Sequence, residues 1–280
     1  MLGKSTAGEK TAGEKTAKEK SLKQQTAKRR RCAVSDFDRT LYVNEEISPE
    51  NIRAVRRWQE RGDWFVIATG RNESGLMEKL SQFDCRPDAY ILNNGARILL
   101  ADGTEIYCRT IEDATSQAVM RYLYENDRDG FGVTLRDRKV NVLSADHTTT
   151  QKACDGVITI DQAQELADVV QLHTRRPDDP AWISRLCRDL NERFPGVTAY
   201  ANVWNADIMA HGVDKEAGIR YLVEYAGGFD QVLTVGDSEN DVRMIGEYAG
   251  AAMSCACENA RQAASRTVES VAEYLNAYLE

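Results

Sequence analysis

Residues 32–41, Cys-Ala-Val-Ser-Asp-Phe-Asp-Arg-Thr-Leu, constrain the fold more than any other stretch of this chain. The run from Cys32 to Val34 reads as a buried strand, and Asp36, Asp38, Arg39 and Thr40 follow just past its C-terminal end. In an open α/β sheet that edge is where ligands bind. Strand alternation places Asp36 and Asp38 on the same side of the chain. Two carboxylates brought together repel unless a cation or a shared proton relieves them. Taken alone, the pair is equally an acidic turn after a strand. Its meaning depends on partners further along.

Beyond Cys32 the pattern alternates strand and helix. Ser48 is a helix N-cap with Pro49 at the first helical position, and the helix stops at Gly62. A buried strand at 64–68 leads into Thr69-Gly70-Arg71 and a helix to about 83, and a third strand at 89–92 ends in Asn93-Asn94-Gly95-Ala96. Short strands joined by helices imply βαβ units and a parallel sheet. The texture then changes to a hairpin at 97–109, a helix at 111–126, extended pieces near 131–143, a strand at 169–173, a helix at 181–194 and strands at 197–201 and 206–210. The parallel pattern resumes with a helix at 215–225, a strand at 231–235, a helix to 248, a strand at 249–253 and C-terminal helices. The expected architecture is α/β, a Rossmann-like parallel-sheet core at 32–109 and 206–280 with an inserted α+β cap domain at 110–205.

Charge is uneven. Residues 1–31 carry +7, with a low-complexity echo of Thr-Ala-Gly-Glu-Lys, one leucine beyond Leu2 and no aromatic residue, and read as a disordered basic tail. The remaining residues carry −15, which gives no support for nucleic-acid binding. No apolar run approaches the roughly 20 residues of a membrane span, and no segment resembles a signal peptide. Seven scattered cysteines without zinc-site spacing suit reduced thiols, and a cytoplasmic location is expected.

Four polar clusters follow strands or open helices: Asp36/Asp38/Thr40, Thr69-Gly70-Arg71, Lys215, and Asp237 to Asp241. Parallel topology sends all four to one sheet edge, where they offer carboxylates, a hydroxyl, an ammonium and a helix N-terminus. That inventory suits phosphoryl transfer. Carboxylates are hard ligands for Mg²⁺, a lysine and backbone amides neutralise phosphoryl oxygens, one carboxylate can attack phosphorus, and a second can move protons.

With these motifs in order, the chain resembles the haloacid dehalogenase superfamily phosphatases, of the Cof-like group with a large α/β cap (type IIB). The resemblance rests on Asp36-Phe-Asp-Arg-Thr40, Ala68-Thr-Gly-Arg71, Asn93-Asn-Gly-Ala96, Gly212-Val-Asp-Lys215 and Gly236-Asp-Ser-Glu-Asn-Asp241. It implies Asp36 as nucleophile and Mg²⁺ ligand, and Asp38 as general acid/base with its backbone carbonyl on the metal. Thr69 and Lys215 are expected to hold the phosphoryl group, assisted by Asn240, with Asp237 and Asp241 as the remaining metal positions. Thr40, Gly70, Arg71 and Asn94 are expected near the substrate. The implied activity is Mg²⁺-dependent hydrolysis of a small phosphorylated metabolite, a sugar phosphate first, through an aspartyl-phosphate. A phosphomutase and a non-catalytic, receiver-like phosphoacceptor are the competing readings.

Two features depart from the family pattern: Arg39 stands where glycine is usual, and Ser254-Cys-Ala-Cys257-Glu-Asn259-Ala260 replaces a tighter turn. A side chain at 39 is expected to be harmless or mildly modulating. His147, His173 and His211 are expected in surface or core roles, and Trp182, Tyr200 and Trp204 in cap–core packing, with a place facing the substrate as the alternative.

Overall fold

The computed structural model describes residues 30–147, 155–202 and 204–279. Most of the basic tail, with Cys154, lies outside the described residues.

Strand β1 (Arg31–Asp36) is the axis of the core. It pairs in parallel with β2 (Trp64–Ala68) on one side and β12 (Gln231–Gly236) on the other, with Val34 opposite both Val66 and Thr234. Helices cover both faces, which explains why its residues are apolar in succession rather than alternately. Beyond β2 come β3 (Ala89–Leu92) in parallel, then β4 (Arg97–Leu100) and β5 (Glu105–Cys108) antiparallel. Beyond β12 come β13 (Ala251–Met253) and β14 (Arg266–Val268). Because the chain leaves β1 toward β2 and later returns on the opposite flank at β12, the loops after β1 and β12 part. A crevice opens at the C-terminal end of β1.

Helix α1 (Pro49–Glu60), which α2 (Glu73–Leu80) follows after β2, begins as expected, with the Ser48 hydroxyl accepting the Asn51 N–H. Its Trp58 is fully buried and donates its indole N–H to the Trp64 carbonyl at 2.9 Å. Arg31 is a corrected expectation. Instead of belonging to a solvated tail, it opens β1, pairs with Asp63 through two N–H donors at 2.6 and 3.0 Å, and stacks over Trp58 at 4.2 Å.

The second body carries a separate apolar cluster under a six-stranded sheet. Its strands are β6 (Phe131–Thr134), β7 (Lys139–Val142), β8 (Gly156–Ile158), β9 (Gln171–Arg175), β10 (Val197–Asn202) and β11 (Asn205–Ala210), in the order β10-β11-β9-β6-β7-β8. Helices α3 (Asp113–Asn126) and α5 (Pro180–Arg193) face it, and α4 (Ile160–Ala163) is a short turn closed by a Thr159/Gln162 capping box. The chain is therefore a mixed, mostly parallel α/β core with an inserted α+β cap, the fold class expected. One boundary and one element differ from expectation. The expected edge at 205/206 cuts the β10–β11 hairpin, since Ala206 pairs with Ala201 and Thr174; the return to the core falls after Ala210. The C-terminal segment holds β14 besides helices, because three residues alternating at a sheet edge carry too little periodicity to be read.

Deleting a fully buried indole leaves a cavity the core cannot refill. Trp58→Ala is expected to lose about 3–5 kcal/mol in urea unfolding, whereas Tyr225→Ala, at an exposed ring, should stay within about 0.5 kcal/mol.

Candidate active site

Helix α6 (Lys215–Tyr225) brings the return from the cap to the end of β1. Asp214 caps it, accepting from the Ala217 N–H at 2.8 Å, and Lys215 occupies its first turn, 1% exposed. The Lys215 ammonium lies 2.5 Å from Asp36 Oδ1 and 2.7 Å from Asp241 Oδ1. Asp36 ends β1, whereas Asp241 closes a 3₁₀ turn (Glu239–Asp241) after β12. One cation thus ties three elements together.

The turn after β12 folds tightly. The Asp241 Oδ2 accepts the backbone N–H groups of Asp237 and Ser238, both at 3.0 Å. Gly236 makes this possible, because a Cβ there would lie 2.5 Å from the Asp241 Cγ. Asp237 is held by the hydroxyls of Thr40 at 3.4 Å and Ser238 at 3.0 Å. Ligand oxygens of Asp36, Asp237 and Asp241 then lie within 4.8 Å of one another, all buried.

The electrostatics follow from burial. Desolvation pushes the Asp36 carboxyl well above its usual range; Lys215 opposes this, and Asp241 and Asp237 add to it. Asp237 is likewise raised by burial and by Asp241, with Arg39 opposing. Burial alone would depress Lys215, but Asp241 and Asp36 outweigh it and hold the ammonium above its ordinary value. Lys215 pairs with Asp36 and Asp241 and Arg39 with Asp237, so three buried carboxylates share two cations and keep a net negative charge. This donor set fits a small divalent cation with oxygen ligands, Mg²⁺ among them.

The other expected residues sort by position. The Asp38 carboxylate lies apart from this cluster, gripped by Arg71 through two N–H···O bonds of 2.7 Å each. Thr69 is buried, its hydroxyl accepting the Arg71 N–H at 3.2 Å. Gly70, Arg71 and Asn240 line a cleft of about 590 Å³ above Asp36. Asn240 Oδ1 is buried and unpartnered among the described residues. Thr40 and Asn94 are not in that lining: Thr40 sits behind Asp237, and Asn94 is tied up between Asn240 and the cap.

The cap contributes residues the sequence reading passed over. Asn94 donates to Asp207 Oδ2 at 3.1 Å, Gln171 donates to Asp207 Oδ1 at 2.9 Å, and Asn93 donates to Gln171 Oε1 at 2.6 Å. His173, opposite Asp207 across β9 and β11, lays its ring over Gly132, where a Cβ would sit 1.7 Å from the imidazole. Burial, with Lys139 adding, lowers His173 to about 3, so it is neutral at physiological pH. His173 and Trp204 both line the cleft, so Trp204 takes the cleft-facing alternative rather than cap–core packing. The available signal was the alternation of Gln171-Leu-His-Thr-Arg175, whose buried Leu172 and Thr174 turn Gln171 and His173 to the opposite face.

The family model for haloacid dehalogenase-like hydrolases matches residues 33–276. The 5-amino-6-(5-phospho-D-ribitylamino)uracil phosphatase of Bacillus subtilis is 26% identical over 241 residues, covering 85% of this chain and 88% of that one. A HAD/COF-like hydrolase of Plasmodium vivax superposes with a TM-score of 0.78 at 23% identity, over 93% of this chain and 98% of that one. The subclass IIB sugar phosphatase BT4131 superposes with a TM-score of 0.72 at 19% identity, over 89% and 98%.

Burial raises Asp207 to about 6, against opposing hydrogen bonds from Asn94 and Gln171. The unfolded chain sheds this proton near the usual carboxylate range while the folded chain keeps it, so this group's contribution to stability falls as pH rises from about 4 to 6. Thermal unfolding of the parent and Asp207→Asn across pH 4–7 should show the parent losing ground to the variant over that window. A constant offset would mean that Asp207 titrates normally.

Proposed function

We propose that this chain, which belongs to the haloacid dehalogenase-like hydrolase family, is a phosphatase. It would hydrolyse a small phosphomonoester through an aspartyl-phosphate on Asp36, with Mg²⁺ as the metal. The observation that carries the reading is the convergence of Asp36, Asp237 and Asp241 on one point beside the buried ammonium of Lys215. Asp36, Asp237 and Asp241, with the Asp38 backbone carbonyl, would hold the ion. When bound, it supplies charge neutralisation for the phosphoryl oxygens and the carboxylates alike.

The side chains divide the work. In the first transfer an Asp36 carboxylate oxygen attacks phosphorus, the bond from phosphorus to the leaving oxygen breaks, and Asp38 delivers a proton to that oxygen. In the second, water attacks the same phosphorus, Asp38 takes its proton, and the acyl–phosphate bond breaks to return Asp36 and release inorganic phosphate. Arg71 orients Asp38 through its two-point grip. Lys215 holds Asp36 and balances charge on the phosphoryl oxygens. Thr69 and Asn240 contribute a hydroxyl and an amide, the latter with an acceptor that has no partner among the described residues and can take a donor of the ligand.

The leaving group faces the cap. Asn202, Asn205, Asp207 and His173 line that side of the cleft together with Trp204. Donors and acceptors beside a flat ring suit a polyhydroxylated leaving group, and a sugar phosphate is the favoured class. The two phosphatases named above, one acting on a phosphorylated ribityl compound and one on sugars, support this choice.

Asp36→Asn is expected to abolish release of inorganic phosphate from p-nitrophenyl phosphate and from sugar monophosphates. Asp38→Asn should lower kcat by ~10²–10⁴. Acid-quenched parent enzyme should carry one phosphoryl group on the peptide containing Asp36. Parent-like turnover by Asp36→Asn, or label on another residue, would refute the nucleophile.

A further inference from the structure

The phosphoryl-transfer chemistry has no use for Arg39, yet its loop is built around it. Arg39 has φ of +65°, in the left-handed region disfavoured for any residue bearing a Cβ. Its backbone N–H is fixed on the Tyr42 carbonyl at 2.8 Å, while Phe37 O accepts from Leu41 and Tyr42. A strained position so firmly determined at a functional loop points to a role for the side chain.

That side chain is 51% exposed but turns inward. Its Nε lies 3.3 Å from Asp237 Oδ2, the only ion pair Asp237 makes among the described residues. Its Nη2 donates to the Cys255 carbonyl at 3.3 Å, and the Cys255 thiol donates back to the Arg39 carbonyl at 3.8 Å. The two departures from the family pattern, Arg39 and the 254–260 segment, therefore grip each other. Together they aim a guanidinium at a carboxylate of the metal cluster.

We propose that Arg39 is a resident counter-cation for Asp237 that competes with the divalent ion for this carboxylate and so weakens metal binding. The inference rests on Asp36, Asp237 and Asp241 being the metal site. A guanidinium keeps its charge throughout the accessible pH range. It can yield Asp237 only by swinging outward, and half exposure leaves it room. Even with water-like screening, a unit positive charge within about 5 Å of a dication repels it by about tenfold in affinity or more. The same guanidinium, while inward, neutralises an otherwise unpaired buried carboxylate in the metal-free protein.

Calorimetric titration of Mg²⁺ into the EDTA-stripped full chain tests this. Arg39→Gln and Arg39→Gly should each bind Mg²⁺ about tenfold tighter than the parent, and Arg39→Lys should stay close to it. Glutamine keeps the backbone strain and glycine relieves it, so agreement between the two assigns the effect to charge. Parent-like or weaker binding by both overturns the proposal. Asp237→Asn distinguishes the levels. Loss of Mg²⁺ binding in Asp237→Asn, with parent-like affinity in the Arg39 variants, rejects the counter-cation and leaves the metal site standing. Undiminished binding by Asp237→Asn rejects the metal site, and the counter-cation with it.

Discussion

A single buried ammonium holds the cleft end of this molecule together. Lys215 contacts Asp36 from β1 and Asp241 from the turn after β12, so two loops that the sheet topology drives apart are drawn to one cation. Breaking such a contact by removing one partner strands charge in a dry site, a far larger penalty than the net worth of the pair. Because Lys215 opens the helix that follows the cap, the cap's return path is bound to the same point. The insertion can vary in content, but its exit is fixed by the need to deliver this side chain.

The cap is joined to the site by amides and one carboxylate rather than by apolar packing. Asn240, beside the Asp36/Asp237/Asp241 cluster, donates to Asn94 at 2.8 Å; Asn94 donates to Asp207 of β11, and Gln171 of β9 joins Asp207 back to Asn93. Asn93 and Asn94 both adopt positive φ, a conformation asparagine tolerates better than most residues. The circuit crosses between the two bodies twice, so a shift of the cap reaches Asn240 through hydrogen bonds of defined direction. In a low-dielectric setting such bonds are strong when satisfied and costly when broken. A polar joint of this kind can re-form around a substrate hydroxyl, which an apolar seam could not.

How much of this was legible differs between the two bodies for a physical reason. The core residues announce themselves because polar groups stand abruptly after apolar runs, and parallel topology collects strand ends at one edge: Asp36, Thr69 and Asp237 obey this, and Lys215 reaches the same edge from the start of a helix. The order of strands and the presence of an inserted α+β body were also readable from period and turn chemistry. The cap residues obey no such rule. Asp207 and His173 meet only because β9 and β11 pair in a particular antiparallel register, 34 positions apart, and local pattern carries no information about that pairing. Trp204 likewise owes its place to a hairpin whose tip leans over the 239–241 turn. Arg39 is visible as an anomaly, but its partners are not, since Asp237 and the Cys255 carbonyl are brought to it by the loops after β12 and β13.

The anchoring of Arg31 has a geometric corollary. Arg31 and Asp36 are opposite ends of one strand, five steps of roughly 3.3 Å apart, or about 17 Å. Arg31 is therefore held by Asp63 and Trp58 at the end of the sheet opposite the crevice. A group attached to the backbone at Arg30 would begin behind the sheet, leaving the cleft beneath the cap unobstructed by that attachment point.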